Sequence, residues 1–470
     1  MNSEDTEKKL RISGYDLLKT HVLDTDMCCG CGGCVGICPV DALEIKPAES
    51  YAPVFYEDKC IKCPFCYEVC PGQGYAVAEM AEKNNQEYNE APAAMDPVRG
   101  PELGHILGWA TDETQRREGA SGGIATALML HCLETGIADE ALVTVIRNEV
   151  PVPLLTSDPE VIKEARGSKY SPVPIMDIID SVRRKPRKIV IIGSGCHLAS
   201  WQLAEKRFKK LRDCVVLSMG FFCGGVQEID ALEALAASLG VKYPEEVEFM
   251  GLREGDFPGN ARFRHRVTGE IYDKPLYPAL DMAVPYYTLN RCHLCPDNSA
   301  WLADLVLGDH HDSKDNDTAV TIRTDRGRNI LESARRMGRI TFSEMTDREV
   351  KISTSTQILA SKVYPSISRI DFLKKNGRPI PIFDFEHPEM FRCNPQFKRL
   401  RFLWVFKYRI LSYLSSGWRF SVIKKFPWVM ERFGHFLYYF PATIPGYMPL
   451  AKLRRKLLDM RSGQRAKTDS

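Results

Sequence analysis

The chain has 470 residues, of which 44% are hydrophobic and 26% charged, and its formal net charge at neutral pH is +2. That composition is globular throughout, gives room for about two to four domains, and excludes a disordered polymer or a uniformly basic nucleic-acid binder. The 16 Cys, behind an opening Met1-Asn2-Ser3-Glu4-Asp5 that lacks a basic, apolar, small-residue leader, predict a reducing cytoplasmic setting where thiols stay free, and argue against secretion.

Two early stretches, Cys28-Cys29-Gly30-Cys31-Gly32-Gly33-Cys34-Val35-Gly36-Ile37-Cys38-Pro39 and Cys60-Ile61-Lys62-Cys63-Pro64-Phe65-Cys66-Tyr67-Glu68-Val69-Cys70-Pro71, each read C-x2-C-x2-C-x3-C-P. This is the spacing of two-cluster ferredoxins: three thiolates converge from a tight loop on one cubane, and the fourth, carried away on the next turn, serves the other. The expected ligand sets are Cys28, Cys31, Cys34 and Cys70 for one [4Fe–4S] cluster, and Cys60, Cys63, Cys66 and Cys38 for the second. Zinc sites or disulfides need neither eight Cys at these intervals nor a Pro after each fourth one. Residues 20–80 are therefore expected to form a small ferredoxin-like domain, whose half-motifs are the one visible internal repeat. The polar run Lys83-Asn84-Asn85-Gln86-Glu87-Tyr88-Asn89-Glu90, then Pro92, Pro97 and Pro101, predicts an exposed linker over 81–104.

From about residue 105 the pattern is mixed helix and strand. A helix is predicted from Gly122 to Thr135, opening on Ser121-Gly122-Gly123, and a buried strand over Ala141–Ile146. Lys188–Ile192 and Val215–Met219 read as further apolar strands, each ending in a Gly-containing loop where an α/β domain binds ligands. No G-x-G-x-x-G follows a strand and no Walker A sequence occurs, so a standard nicotinamide fingerprint is absent.

A second group of cysteines follows the strands: Cys196, Cys223 in Gly220-Phe221-Phe222-Cys223-Gly224-Gly225, and Cys292 and Cys295 in Arg291-Cys292-His293-Leu294-Cys295-Pro296-Asp297. Four loop Cys could meet at one cluster. By spacing alone only the C-x2-C pair points to ligation, since single Cys are also common as small buried hydrophobes. Cys29, Cys132, Cys214 and Cys393 do not group and read as structural or incidental.

The last 80 residues are a basic module, with 17 Lys and Arg against three acids, which leaves the first 390 residues at −12. Runs such as Phe402-Leu403-Trp404-Val405-Phe406-Lys407-Tyr408-Arg409 interleave aromatics with cations, as membrane-interfacial segments do. The charge-free run Phe433 to Ala451 reaches spanning length, but Pro441, Pro445, Gly446 and Pro449 break it as a helix. The readings for 390–470 are a basic, mainly helical extension packed on the body or on a partner subunit, or peripheral contact with the inner face of the membrane. Nothing upstream supports nucleic acid as a partner.

Ser121-Gly122-Gly123-Ile124-Ala125-Thr126-Ala127-Leu128, Gly167-Ser168-Lys169-Tyr170, Gly193 to Cys196, Gly220 to Cys223, Cys292 to Asp297, Leu302-Ala303-Asp304 and Gly308-Asp309 occur in that order. In this the chain resembles the family of coenzyme F420 hydrogenase/dehydrogenase beta subunits over roughly residues 105–330. The resemblance implies FAD, and a third [4Fe–4S] cluster on Cys196, Cys223, Cys292 and Cys295. It also implies that Ser121, Gly122, Gly123, Gly167, Ser168, Lys169 and Tyr170 lie around the flavin. Glycines let backbone N–H groups approach a pyrophosphate, and Lys169 could pair a phosphate or sit near flavin N1 and O2. On residues alone the two segments would be a helix start and a solvated turn. Two departures stand out. Many relatives have Pro-Cys-Gln where this chain has Gly195-Cys196-His197, so His197 either tunes a cluster or is a satisfied core histidine. The loop His310-His311-Asp312-Ser313-Lys314-Asp315-Asn316-Asp317 is also more acidic than in relatives and would repel a coenzyme with a polyglutamate tail.

The fold class expected is α+β / α/β: a ferredoxin-like 2[4Fe–4S] domain (20–80), a linker (81–104), a mixed α/β domain for FAD and a cluster (105–375), and the basic extension (390–470). The implied function is an oxidoreductase passing electrons between clusters and FAD, with hydride transfer to or from coenzyme F420 or a similar acceptor. Its partners would be a ferredoxin or another redox subunit and a small-molecule hydride acceptor. Reduction of another organic substrate, in a bacterial homologue linked to polysaccharide synthesis, and a non-catalytic electron-transfer subunit stay open. No residue is assigned a catalytic role.

Overall fold

The runs Ile189–Gly193 and Val215–Phe221 are buried along nearly their whole length, which puts them in the middle of a sheet covered on both faces. The computed structural model describes residues 13–47, 49–96, 99–310, 316–351, 353, 362–384, 395–414, 426–427 and 429–433. In chain order the strands that build the body are β1 (Gly104–Ala110), β2 (Glu140–Arg147), β3 (Val150–Thr156), β4 (Ile189–Gly193), β5 (Val215–Phe221), β6 (Val247–Glu254), β7 (Asn260–His265), β8 (Ile271–Pro275), β9 (Leu305–Asp309), β10 (Thr318–Ile322) and β11 (Ile340–Glu344). Eight of these form one mixed sheet in the order β11-β1-β10-β9-β5-β4-β2-β3, while β6, β7 and β8 make a separate antiparallel sheet. β9, β5, β4 and β2 are parallel, so their C-terminal ends share one edge. The mixed α/β architecture expected from the sequence is the one found.

The principal helices are α1 (Val77–Glu87), α2 (Ile124–Glu134), α3 (Pro159–Glu164), α4 (Gly195–Arg207), α5 (Ala231–Ser238), α6 (Leu276–Tyr287), α7 (Asp325–Arg336), α8 (Tyr364–Lys375) and α9 (Pro395–Leu414). Alternation along β4 sends Ile189 and Ile191 to one face, against Leu198 and Trp201 of α4, and Val190 to the other, against Ile124 and Leu128 of α2. The second sheet packs on α5 and α6 as a core of its own. Leu18, Val22 and Leu43 of the N-terminal module share a core with Leu294, Leu373 of α8 and Tyr408 of α9, so this module is built into the body. At Gly32 the backbone takes φ +83° and a Cβ would stand 2.6 Å from Pro174 O; the close approach lets Met176 N–H donate to Cys31 O at 2.8 Å.

The exposed linker expected over 81–104 is corrected. Its first half continues α1 to Glu87, and Ala94–Asp96 pairs with Gly100–Glu102 in a short hairpin. Polar residues here are structural: Asn85 is buried and donates to Ala93 O at 3.0 Å, and Asn89 donates to Arg323 O at 3.1 Å. A polar sequence was compatible with helix because these amides find backbone partners across the fold. Among the described residues no helix is long and apolar enough to cross a membrane. The run Phe433 to Ala451, apart from Phe433, lies outside the described residues, as does Cys393.

Asp304 knots the centre of the sheet. Its buried carboxylate accepts from Ser218 N and Oγ (2.7 and 2.8 Å), Thr324 Oγ1 (2.6 Å) and Arg326 Nε and Nη2 (3.1 and 2.8 Å). Asp304→Ala strands these donors, and thermal or denaturant unfolding should show a loss on the order of 3 kcal/mol. Gly122 has φ +56°, and a Cβ there would stand 2.6 Å from Thr318 Oγ1 and 2.9 Å from Gly108 O. Gly122→Ala combines that clash with a left-handed backbone, and should cost at least roughly 1–2 kcal/mol in the same measurement.

Candidate functional site

Thiols of the two early Cys loops act on one another across the repeats. Cys34 lies in the electrostatic reach of Cys70 and Cys28, and Cys31 in that of Cys70 and Cys34. Cys66 in turn feels Cys63, Cys38 and Cys60. Backbone N–H groups point at several sulfurs: Gly30 at Cys28 (3.4 Å), Ala42 at Cys38 (3.3 Å) and Lys62 at Cys60 (3.4 Å). Cys31, Cys34, Cys38, Cys66 and Cys70 are buried, whereas Cys28, Cys60 and Cys63 are partly exposed.

The four later Cys also come together. Cys196 opens α4 at the end of β4, Cys223 follows β5, Cys292 lies in a one-turn helix after α6 (Asn290–His293), and Cys295 lies just beyond that helix. Cys223 is under the influence of Cys292, Cys196 and Cys295. Burial pushes the thiols up, Cys28 to about 11 and Cys66, Cys70 and Cys223 to about 12, so bare thiolates are disfavoured at all of these positions. Such sets ionise readily only when metal neutralises them. Among the described residues no three His, Cys, Asp or Glu side chains converge closely enough to grip a single metal ion; thiolates on a cubane stand farther apart than thiolates on one ion.

The three sets form a row. Cys34 and Cys70 of the first set act on Cys66 of the second, or are acted on by it. Cys28 and Cys31 of the first act with Cys196 of the third. Cys29, read from its spacer position as structural or incidental, has its thiol near those of Cys31 and Cys196, between the first and third sets. Arg291 is the other link. It is 2% exposed, donates to Pro71 O (2.9 Å) and Gly72 O (3.2 Å), and its charge acts on Cys70, Cys196 and Cys295.

His197 takes the satisfied-core role of the two open to it. Its Nδ1 accepts from Ser194 N–H at 3.1 Å and its Nε2 faces Val173 O at 3.2 Å, so the ring caps α4. Burial brings its pKa down to about 4, which keeps it neutral.

Ser121-Gly122-Gly123 and Gly167-Ser168-Lys169-Tyr170 sit at the strand edge that also carries the third set. An Arg166–Glu118 ion pair ties the segments together. Ser121 O accepts from Thr318 Oγ1 (2.6 Å) and Gly122 N–H donates to Asn316 Oδ1 (2.9 Å). Lys169 has local partners: its ammonium donates to Ala165 O (3.1 Å), Arg166 O (2.8 Å) and Gly167 O (3.1 Å), closing the C-terminal end of α3. Burial lowers its pKa to about 8. Lys169 and Tyr170 line a cleft of about 560 Å³, counting space open to solvent, with Gln227, Glu228 and the apolar Leu232 and Phe249. Ser121–Gly123 do not line it.

Tyr170 joins this cleft to the third set, since it lies in the electrostatic field of Cys223 and of the Arg253–Asp309 pair. That pair is bidentate, at 3.0 and 2.8 Å. Asp309 was visible as part of a motif; Arg253, in an unremarkable strand, was not. His310, next along, is buried, and neither ring nitrogen has a hydrogen-bond partner among the described residues. The acidic loop is only partly described: Asp309 is paired with Arg253 and Asp317 with Arg116 (2.7 Å), so two of its flanking carboxylates are already neutralised.

Residues 105–180 and 186–348 match the N- and C-terminal family models of the coenzyme F420 hydrogenase/dehydrogenase beta subunit, together just over half the chain, and residues 21–44 match a 4Fe-4S binding domain. An uncharacterized protein of Methanocaldococcus jannaschii is 26% identical over 368 residues, 72% of this chain and 95% of that one. The beta subunit of the coenzyme F420 hydrogenase of Methanosarcina barkeri is 27% identical over 246 residues, 51% of this chain and 81% of that one. Among solved structures, a chain of the F420-reducing [NiFe] hydrogenase complex from Methanosarcina barkeri shares the fold with a TM-score of 0.50 at 22% identity, covering 63% of this chain and 99% of that one. The chain thus belongs to the family of coenzyme F420 hydrogenase/dehydrogenase beta subunits and carries an N-terminal iron–sulfur domain suited to electron transfer.

Proposed function

We propose that this chain is an iron–sulfur flavoprotein oxidoreductase that moves single electrons along three [4Fe–4S] clusters and exchanges a hydride with coenzyme F420 or a comparable acceptor. The observation that carries the reading is the row of cysteine sets, second to first to third, ending beside Tyr170 at the cleft. In this reading Cys60, Cys63, Cys66 and Cys38 hold the outermost cluster. Cys28, Cys31, Cys34 and Cys70 hold the next, and Cys196, Cys223, Cys292 and Cys295 the innermost. The Cys60–Cys63 loop, with Ile61 60% exposed, is where a redox partner protein would exchange electrons.

Support for FAD comes from the far end of the row. FAD, when bound, handles two electrons as a hydride and trades them singly with clusters. Gly167 has φ +84° with no atom within 4 Å of a would-be Cβ, so a ligand can approach its backbone closely. His310 offers two buried ring nitrogens without protein partners among the described residues. Tyr170 is held by its own carbonyl, which accepts from Gln227 N–H at 2.9 Å, and stands between cleft and cluster. Lys169 keeps a positive charge at the rim and orients the Gly167–Tyr170 turn through its three carbonyl contacts. Leu232, Leu235 and Phe249 give the cleft an apolar wall.

Iron, acid-labile sulfide and flavin should be counted after strictly anaerobic purification and reconstitution. The expected result is about twelve iron atoms and one FAD per chain; about eight iron atoms without flavin would leave only the ferredoxin module functioning. Because the fourth ligands cross, Cys38→Ser should perturb the spectrum of the cluster held by the Cys60–Cys66 loop and leave that of the Cys28–Cys34 loop unchanged. Turnover in a screen of hydride acceptors decides the substrate: absence of any rate with oxidised or reduced coenzyme F420 would remove it and favour another organic acceptor.

A further inference from the structure

Several residues that fasten the third cysteine set come from beyond the family match, which ends at 348. Lys362, just before α8, is 5% exposed and donates to Gly224 O at 3.2 Å and to Cys292 O at 2.8 Å. It thereby ties the Cys223 loop to the Cys292–Cys295 loop, and its charge acts on the sulfurs of both Cys223 and Cys292. Further along α8, Ser366 Oγ donates to Cys295 O (3.0 Å) and His293 O (3.3 Å), and Arg369 Nη1 donates to His293 O (3.1 Å). α9 backs α8 through Trp404, stacked on Tyr364 at 5.6 Å between ring centroids.

Charge makes this arrangement informative. Lys362, Arg369 and Arg291 are all buried around the third set, and none has a carboxylate within ion-pairing distance among the described residues. Three buried cations whose hydrogen bonds go to backbone carbonyls are costly unless an anion sits among them. Four thiolates around a [4Fe–4S] core carry net negative charge, and one more on reduction.

We propose that Lys362 is a positioning residue for the third cluster: it clamps the Cys223 and Cys292 loops together and, by its charge, raises the reduction potential of that cluster above what the four thiolates alone would give. The proposal rests on the reading that these four Cys hold a cluster. A nearby fixed cation favours the more negative, reduced form, so the innermost cluster becomes a better electron acceptor than it would be without Lys362.

The test uses the full chain, reconstituted anaerobically, as wild type, Lys362→Met and Lys362→Arg, with iron content and an EPR-monitored redox titration of each. The expected result is that Lys362→Met keeps about twelve iron atoms and shifts the third cluster to a more negative potential, while the two ferredoxin-module clusters titrate unchanged and Lys362→Arg stays near wild type. Selective loss of the third cluster in Lys362→Met but not in Lys362→Arg would equally support the clamp. An unshifted potential in Lys362→Met with all clusters present overturns the proposal, and so does loss of the third cluster in both variants. A wild-type chain that holds only about eight iron atoms instead overturns the reading of a third cluster, and the role of Lys362 falls with it.

Discussion

Burying thiols where they cannot ionise by themselves is the constraint on which this structure turns. Desolvation pushes Cys28, Cys66, Cys70 and Cys223 far above the ordinary thiol range, and repulsion among neighbouring sulfurs adds to it. The loops that carry these residues are held in place by contacts from across the fold. The first Cys loop is pressed onto the 173–178 segment through the close approach at Gly32. The third set is held by the ends of β4 and β5 and by a turn after α6, a C-terminal strand edge of the kind where α/β folds place their ligands.

Integration of the modules follows from the same need. A freely tethered ferredoxin domain would let the distance between clusters vary, whereas here Leu18, Val22 and Leu43 share a core with Leu294, Leu373 and Tyr408. Arg291 spans the junction, hydrogen-bonded to carbonyls of the ferredoxin module and facing thiols of two sets. Tyr75 adds a second strut, its hydroxyl donating to Asp297 Oδ2 at 3.2 Å beside the third set. Asp384 caps the first turn of α1 by accepting from Ala78 and Glu79 N–H at 2.9 and 2.7 Å, so the late part of the chain braces the early part.

The sequence left two readings for the C-terminal segment, packing on the body or on a partner subunit and contact with a membrane face. In the fold Trp404 and Tyr408 of α9 are buried, and α8 closes over the Cys292–Cys295 loop. Other residues of α9 do face outward, Phe402 and Phe406 among them, so one helix serves both an inner and an outer surface.

The sequence by itself carried the expectation of iron–sulfur ligation: eight Cys at C-x2-C-x2-C-x3-C-P spacing are a local pattern that can be read without a fold. It also determined the strands around Ile189 and Val215 and the helix after Ser121, because long apolar runs and a Gly-rich helix start are local signals. Only the tertiary structure decided which distant groups Cys29, Arg253, Arg291 and Lys362 meet, since those partners lie far away in the chain. The 81–104 segment shows the limit from the other side. Its polarity resembled a linker, but Asn85 and Asn89 are polar because the folded chain supplies backbone groups for them to bond, and hydrogen-bond satisfaction is a property of the fold that no sequence window contains.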